Sequence, residues 1–176
     1  MDKELELVVE GDFSFFKLEN CLRDRVCYVD DNIQAFREEA LVKEILKDSK
    51  KNRTKIYQLK KESSEVIVGF IALSASRLDF KPALLIDYIF IFNEFREKNS
   101  GVNYAKILIF FAFEKGLKLQ KEIGLSNLIL YPDNEEESLI SYYKNRYGFR
   151  EIRENIAVHK KTQIEKWLCL PLKQKS

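Results

Sequence analysis

The sequence predicts an α/β chain with a central mixed β-sheet flanked by helices. Two apolar runs, Leu84–Phe92 and Leu125–Tyr131, read as central strands, and the helical pattern of Val102–Lys118 separates them. Two strands joined by a crossover helix pair in parallel. Before them, Thr54–Leu59 and Val66–Ala75 predict two strands joined by a polar turn, which is typical of an antiparallel hairpin. A sheet that contains both directions and is covered by helices follows from this order.

The first half of the chain carries two further elements. Leu5–Val9 alternates weakly between apolar and polar residues and predicts a first strand. A helix is predicted over Asn32–Lys47, because Asp30 or Asp31 can cap it and its apolar residues recur at helical spacing. The charged stretch Lys47–Lys55 follows. We interpret it as a solvated loop or, if the substrate is RNA, as a contact for phosphate.

The second half ends in a helix and short strands. Asp133 can cap a helix that runs to about Tyr147, and Glu136 is placed to complete a capping box. Phe149–Arg153 then predicts a strand. Two stretches are candidates for the last strand, Ala157–Lys161 and Trp167–Leu170.

Composition limits the class of protein. The 176 residues are 45% hydrophobic, which is enough for one core, so a single domain over residues 1–176 is expected. The net charge of +2 carries no strong nucleic-acid signature. The three cysteines show no disulfide pattern, so reduced thiols are expected. Their spacing relative to the single histidine does not match a metal-ligand motif, so no metal is expected. Because the start lacks a signal-peptide pattern and Ile107–Phe113 is too short to span a membrane, we expect a soluble, cytoplasmic protein without membrane partners.

The polar turn Arg96–Gly101 carries the first chemical signal. It lies between the predicted strand Leu84–Phe92 and the predicted helix Val102–Lys118. Backbone N–H groups at the start of a helix lie at the positive end of its dipole. A pyrophosphate binds readily at such a place.

A second signal lies downstream. Tyr131-Pro132-Asp133-Asn134 precedes a short helix, and the stretch from Tyr142 to Phe149 contains Tyr142, Tyr143 and the pair Gly148-Phe149. Together with the turn and the order of elements, it resembles the acetyl-coenzyme A machinery of the GNAT family of N-acetyltransferases. The resemblance covers roughly Val66 to Ile152 and implies the GNAT acyl-CoA N-acyltransferase fold.

The resemblance assigns the cofactor site. The family signature is Arg or Gln, two residues, Gly, one residue, then Gly or Ala. Here Arg96 and Gly101 fit, and Asn99 replaces the first Gly. Because Asn tolerates left-handed backbone angles better than most residues, the turn is expected to keep its geometry. The resemblance implies that the backbone of Phe90–Phe92 bonds the pantetheine arm of acetyl-CoA, and that the five amides of Lys98–Val102 hold the pyrophosphate, with Arg96 nearby. The implied cofactor residues are Phe90, Ile91, Phe92, Arg96, Lys98, Asn99, Ser100, Gly101, Val102 and Asn134.

The resemblance also implies a tyrosine that protonates the leaving thiolate. In the family this tyrosine lies four residues before the Gly of the closing Gly-Phe pair, a position that Lys144 occupies here. Tyr143 is one residue away and Tyr142 two, which predicts an insertion or bulge in the helix. Tyr143 is the first candidate for the general acid and Tyr142 the second. For both, burial of the ring in the core is the structural alternative.

Two further groups are needed for acyl transfer to an amine. The tetrahedral oxyanion needs a fixed N–H donor, which a splayed strand around Ile91 can supply. The attacking amine must lose its proton, and a carboxylate or an ordered water can accept it. Asp87 is the candidate base, because it alternates onto the same face of the strand as Ile89 and Ile91. Its structural alternative is to cap a neighbouring strand or to pair with Arg77.

The acceptor is a primary amine of unknown identity. Asp31-Asn32, Phe36–Ala40 and Val68–Ala75 resemble the start of GNAT members that act as toxins and acetylate aminoacyl-tRNA, so a charged tRNA is one candidate. A degenerate GNAT domain that binds acyl-CoA as a sensor or interaction module is the rival interpretation. The resemblance further implies a homodimer.

Overall fold

The computed structural model describes residues 5–8, 43–61, 66–78, 80–132, 137–152 and 167–172. Within these ranges the chain forms seven strands, which are hydrogen-bonded into a sheet in the order β1-β2-β3-β4-β5-β7-β6. The strands are β1 Leu5–Val8, β2 Thr54–Lys61, β3 Ile67–Leu78, β4 Lys81–Ile91, β5 Asn127–Leu130, β6 Arg150–Ile152 and β7 Trp167–Pro171.

The described helices lie before β2, between β4 and β5, and between β5 and β6. Residues 43–50 are helical and precede β2. The other described helices are a 3-10 turn Asn93–Phe95, a short helix Glu97–Ser100, a long helix Tyr104–Ile123 and a tyrosine helix Glu137–Tyr147. None of the helices in the described ranges is long and apolar enough to cross a membrane.

The sheet is mixed, as predicted. β4 and β5 pair in parallel, from Ala83↔Asn127 to Ile86↔Leu130, and the long helix connects them. β1 pairs with β2, and β7 with both β5 and β6, in antiparallel directions. Of the two candidates for the last strand, Trp167–Pro171 forms it, whereas residues 157–161 lie outside the described residues.

Two glycines set the ends of the long helix. The apolar pattern had predicted both ends at the wrong residues. The helix begins at Tyr104 instead of Val102, because Gly101 before it adopts a left-handed conformation with φ of 71°. It continues past Lys118 to Ile123, where Gly124, with φ of 73°, takes the left-handed geometry that ends many helices.

The strands β3 and β4 are longer at their shared turn than predicted. β3 extends to Leu78 and β4 begins at Lys81, although the apolar pattern stopped at Ala75 and resumed at Leu84. Arg77 and Lys81 are exposed. Leu78 and Ala83 in the same extensions are buried, so strand geometry continues where exposed and buried side chains mix, and a search for apolar runs does not detect this extension.

The helix before β2 extends to residue 50, past its predicted end at Lys47. A Schellman motif closes it, in which the N–H of Asn52 donates to the Ser49 carbonyl and that of Arg53 to the Asp48 carbonyl. Asn52 is left-handed, with φ of 55°. The predicted start of this helix lies outside the described residues, as do the predicted caps at Asp133 and Glu136 of the tyrosine helix.

The chain divides into two compact units, Met1–Ala72 with Tyr88–Ala105, and Leu73–Asp87 with Lys106–Ser176. Each has its own apolar cluster. The cluster of the first unit contains Ile45, Leu46, Ile56, Ile67, Phe70, Ala72, Phe90 and Phe92. The cluster of the second contains Leu78, Ala83, Leu85, Ile129, Trp167 and Cys169. The single domain expected from the length stays a prediction.

Gly69 on β3 permits a close approach of β4. A Cβ at this position would overlap the carbonyl oxygen of Phe90 and lie 2.8 Å from Cδ1 of Ile91. A backbone carbonyl within a paired strand cannot move without shifting the strand. At Gly116 of the long helix, in contrast, an added Cβ would meet only the side chain of Leu172, at 2.9 Å from its Cδ2.

We therefore expect Gly69→Ala to lower the free energy of unfolding by roughly 2 kcal/mol or more, because overpacking against backbone forces the strands apart. Gly116→Ala is the matched control. Its change is expected within about 1 kcal/mol, since the Leu172 side chain can rotate and alanine favours the helix. Urea denaturation of both variants measures the difference, and equal destabilisation would contradict the assigned close approach.

Candidate active site

β4 extends beyond its parallel pairing with β5. The last pair is Ile86↔Leu130, where β5 ends, while β4 runs on to Ile91. The other edge of β4 stays bonded further along, because the N–H of Phe92 donates to the carbonyl of Val68 on β3 at 3.1 Å. In the strand pairing that the structure describes, the end of β4 is therefore bonded along its β3 edge and not along its β5 edge.

Strand geometry directs the backbone of Ile91 away from β3. The N–H and C=O groups of successive residues in a strand point alternately to its two edges. Since the N–H of Phe92 points to β3, those of Ile91 point to the opposite edge. Consistent with this, the Ile91 carbonyl accepts a hydrogen bond from Nε of Arg96 at 3.2 Å. Divergence of the two strands around Ile91, which the sequence interpretation expected, stays a prediction.

An aromatic cluster holds the end of β4 in the core. The rings of Phe90 and Phe70 stack with centroids 5.3 Å apart, and Phe92 meets Phe90 edge to face at 5.1 Å. Tyr88 lies on the same face, 6.2 Å from Phe90. Because the Phe90 and Phe92 side chains are buried, any ligand contact from these two residues has to come from the backbone.

The polar turn after β4 contains a short helix, Glu97–Ser100, whose backbone bonds occupy most of the amides proposed for pyrophosphate. The N–H groups of Asn99 and Ser100 donate to the Arg96 carbonyl, at 2.8 and 2.9 Å. The N–H of Gly101 donates to Glu97 O at 2.8 Å. That of Val102 donates to the hydroxyl of Ser100 at 3.2 Å. Four of the five amides proposed for pyrophosphate thus already have acceptors within the turn.

Asn99 serves this turn in another way than predicted. It is part of the short helix and does not adopt the left-handed conformation, which falls to Gly101. Its amide Nδ2 donates to the Asn93 carbonyl at 2.6 Å. The side chain therefore ties the short helix to the preceding 3-10 turn, a role that glycine in this slot could not fill.

The hydroxyl of Ser100 lies at the centre of the turn. It is within 3.0 Å of the Phe95 carbonyl and 3.1 Å of the Arg96 carbonyl, while accepting the N–H of Val102. A hydroxyl has one hydrogen, so these carbonyls share it. The hydrogen bond from the Val102 N–H is the longest of the four N–H bonds of the turn and is exposed. A bound anion can therefore replace the Ser100 hydroxyl as its acceptor with the smallest loss of free energy.

The tyrosine helix ends in a cluster of aromatic rings. The hydroxyls of Tyr142 and Tyr147 are hydrogen-bonded at 2.9 Å. Tyr143 packs against Tyr147 and Phe149, with centroids 6.1 and 5.9 Å away. The guanidinium of Arg146 lies over the ring of Tyr142, 5.6 Å from its centroid.

The helix geometry corrects one expectation. Glu137–Tyr147 is α-helical throughout, so it contains no insertion or bulge of the kind predicted to shift the catalytic tyrosine. Sequence reasoning also missed Tyr147, although its spacing of four residues from Tyr143 places the two rings on one helix face. Asn134, a predicted site residue, lies outside the described residues.

Burial changes the acidity of Tyr143. Loss of solvent, with a smaller contribution from Tyr142, raises its pKa from 10.0 to about 12. The phenol therefore keeps its proton at all physiological pH values. Its role as packing in the core, which the sequence left open, agrees with this burial.

Asp87 is half-buried near the end of the paired part of β4. The hydroxyl of Ser74 on β3 donates to its Oδ1 at 3.0 Å, which orients the carboxylate. Sequence analysis did not identify Ser74, because the register of the β3–β4 hairpin cannot be read from the pattern of either strand. In the ranges that the structure describes, no group of three or more His, Cys, Asp or Glu could hold a metal ion.

Known structures share this architecture. A Tyr-to-Phe mutant of the toxin AtaT, bound to the C-terminus of the antitoxin AtaR and acetyl-CoA, matches with a TM-score of 0.60 and 14% identity, over 96% of this chain and 92% of that one. AtaT complexed with acetyl-methionyl-tRNAfMet matches at 0.59 and 14%, over 95% and 93% of the two chains. A GNAT-family acetyltransferase from Staphylococcus aureus Mu50 matches at 0.58 and 18%, over 96% and 99%.

The chain has the GNAT acetyltransferase fold. No protein-family model matches the sequence, and no curated protein is significantly similar to it. At these low identities the GNAT likeness establishes the architecture. The chemistry of this GNAT-fold protein has to be argued from its own residues.

The raised pKa of Tyr143 predicts a loss of stability at high pH. In the unfolded chain the phenol ionises near pH 10.0, but in the fold near pH 12. The neutral phenol therefore stabilises the fold below pH 10, and this contribution, about 3 kcal/mol at most, is lost as the pH rises toward 12. We expect Tyr143→Phe to lose less free energy of unfolding than the wild type between about pH 9 and 12. Denaturant unfolding across this range measures it, and parallel curves for the two proteins would contradict the burial of this hydroxyl.

Proposed function

We propose that the protein is an acetyl-CoA-dependent N-acetyltransferase that transfers the acetyl group directly to a primary amine. The observation that carries the proposal is the extension of β4 past its last pair with β5, up to Ile91. An extended amide chain such as pantetheine can add to a strand edge of this kind through main-chain hydrogen bonds. The GNAT fold and the acetyl-CoA bound by a similar structure support this proposal.

The proposed cofactor contacts follow the backbone from Phe90 to Val102. Of the strand-end residues 90–92, Ile91 faces the unpaired edge, so its carbonyl, which has a second lone pair beside the bond from Arg96, accepts from the pantetheine arm. Arg96 and Lys98 supply positive charge beside the pyrophosphate. The N–H of Val102 exchanges its long bond with Ser100 for a phosphate oxygen, whereas the shorter bonds of Asn99, Ser100 and Gly101 keep the turn in place. We also retain Asn134 from the sequence interpretation.

The proposed reaction forms one bond and breaks another. The neutral amine attacks the thioester carbonyl carbon, and the N–H of Ile91 stabilises the resulting oxyanion. Asp87, oriented by Ser74, or an ordered water accepts the amine proton. The intermediate then collapses, the C–S bond breaks, and a tyrosine hydroxyl protonates the departing thiolate of coenzyme A.

Tyr142 is the better proposal for this acid than Tyr143, the first candidate from the sequence. A thiol has a pKa of about 8.5, so proton transfer from a phenol with a pKa near 12 is uphill by about 5 kcal/mol. Tyr142 instead shares a hydrogen bond with Tyr147 and lies beneath the Arg146 guanidinium. These two contacts hold the Tyr142 side chain in place at the end of the helix.

Cofactor binding tests the first half of the proposal. Acetyl-CoA at about 100 times its dissociation constant should stabilise the fold by about 2.7 kcal/mol. S-acetylpantetheine, which lacks the pyrophosphate, should stabilise it less. Arg96→Ala should reduce the stabilisation by acetyl-CoA but not that by S-acetylpantetheine, because only acetyl-CoA carries the pyrophosphate that Arg96 contacts. Thermal denaturation with each ligand measures this, with Arg77→Ala as the control for loss of an arginine.

Equal stabilisation by acetyl-CoA and S-acetylpantetheine would contradict a pyrophosphate site at the turn. If neither ligand stabilises the fold, the proposed function as a whole is contradicted.

Turnover tests the second half. Release of free thiol from acetyl-CoA is followed with a panel of primary amines. Tyr142→Phe is expected to lower kcat by roughly 100-fold, the contribution typical of a general acid. Tyr143→Phe, the matched control on the same helix, should leave kcat within a few-fold. The reverse order would assign the acid to Tyr143.

A non-catalytic acyl-CoA sensor is the second candidate. The observation that favours it is the closed turn, in which four proposed phosphate-binding amides already donate within the protein. Binding of acetyl-CoA without thiol release for any amine would support this candidate over the enzyme. A charged tRNA belongs in the amine panel, because AtaT was solved with acetyl-methionyl-tRNAfMet.

A further inference from the structure

Residues 47–55, which we call the basic loop, concentrate positive charge; they comprise the last helical turn before β2, the turn after it and the first two residues of β2. This basic loop carries five cations, Lys47, Lys50, Lys51, Arg53 and Lys55, and one carboxylate, Asp48, for a net +4. The entire chain has a net charge of only +2. All five cationic side chains are exposed. The charge is therefore concentrated on one short surface segment, and the rest of the chain is slightly acidic.

The basic loop is an ordered scaffold. The Schellman motif at its centre fixes the backbone through the bonds from Asn52 and Arg53, and β2 begins at Thr54. Asp48 contacts Arg53 at 3.7 Å, which offsets part of one charge. Lys55 lies over the ring of Tyr57, with Nζ 5.9 Å from the centroid.

The dipole of the helix that ends at residue 50 does not account for all the positive charge of the basic loop. The C-terminus of a helix carries the equivalent of about −0.5 elementary charge, which one or two cations satisfy. The mutual repulsion of the remaining cations costs free energy in the isolated protein. An anionic ligand with several charges would remove that cost.

The surface chemistry of the basic loop selects among polyanions. Its exposed side chains are all polar, and no large apolar side chain of residues 47–55 is exposed. Membrane-surface segments insert apolar side chains next to their lysines, and protein interfaces are enriched in aromatics and poor in lysine. Single-stranded nucleic acids are bound by stacking on exposed aromatics, whereas Tyr57 is 4% exposed. Contacts to the backbone of a duplex need only cations.

We propose that the basic loop binds the phosphate backbone of a nucleic-acid duplex. RNA and DNA duplexes share this chemistry, and both belong in the test. The proposal does not depend on acyl transfer, because binding is measured without acetyl-CoA. It concerns the contact surface and leaves the acceptor amine undefined.

Fluorescence polarisation of labelled RNA and DNA duplexes, titrated with the full chain between about 50 and 200 mM salt, tests the proposal. Four net contacts should give a slope of log K against log salt near −3.6. Lys47→Gln with Lys51→Gln should flatten the slope by about 1.8 and weaken binding roughly tenfold at low salt.

The matched control is Lys118→Gln with Lys121→Gln, which removes the same charge from exposed positions of the long helix. It should leave slope and affinity nearly unchanged, and thermal denaturation verifies that both double variants are folded. Equal weakening by the two pairs would overturn the proposal, because binding would then reflect total charge. Absence of duplex binding at low salt, or binding to phosphatidylserine-rich vesicles in place of both duplexes, would also overturn it.

Discussion

The hydrogen-bonding pattern of β4 is the constraint on which the proposed site depends. One edge of the strand stays bonded to β3 as far as Phe92, while its parallel pairing with β5 ends at Ile86. The buried rings of Phe90 and Phe92 fix the strand end in the core, so its position does not depend on a second neighbouring strand. Gly69 adds to this constraint, because the absence of a Cβ lets β3 approach the Phe90 carbonyl.

The turn after β4 combines rigidity with a limited capacity for anions. Asn99 and Ser100 hold it through side-chain bonds to backbone carbonyls, and Asn99 occupies the position where the GNAT signature has glycine. A glycine there would leave the loop free to place its amides around phosphate. The short helix instead satisfies most of these amides internally, which leaves the exposed Val102 bond as the replaceable one. The Asn99 side chain therefore rigidifies the turn, while the Arg96 and Glu97 carbonyls and the Ser100 hydroxyl reduce the number of its available donors.

Much of the fold could be predicted from local patterns, because burial imposes a period on each element. The parallel pair around the long helix and the mixed sheet follow from such patterns, whereas the last strand was left open between two candidates. Element ends were less accurate. Gly101 and Gly124 decide the limits of the long helix through left-handed angles, and exposed residues such as Arg77 continue β3 beyond its apolar part.

For the candidate site, the sequence determined the residue types and their order along the chain: a strand end, a polar turn before a helix, and a tyrosine pair before Gly148-Phe149. Only the tertiary structure decided the state of each group. The pKa of Tyr143 rises because burial removes solvent from its hydroxyl, with a smaller contribution from Tyr142, and Tyr142 bonds Tyr147 across a helical turn. Donors, acceptors and burial depend on neighbours brought together by folding, whereas periodicity and spacing are already present in the chain.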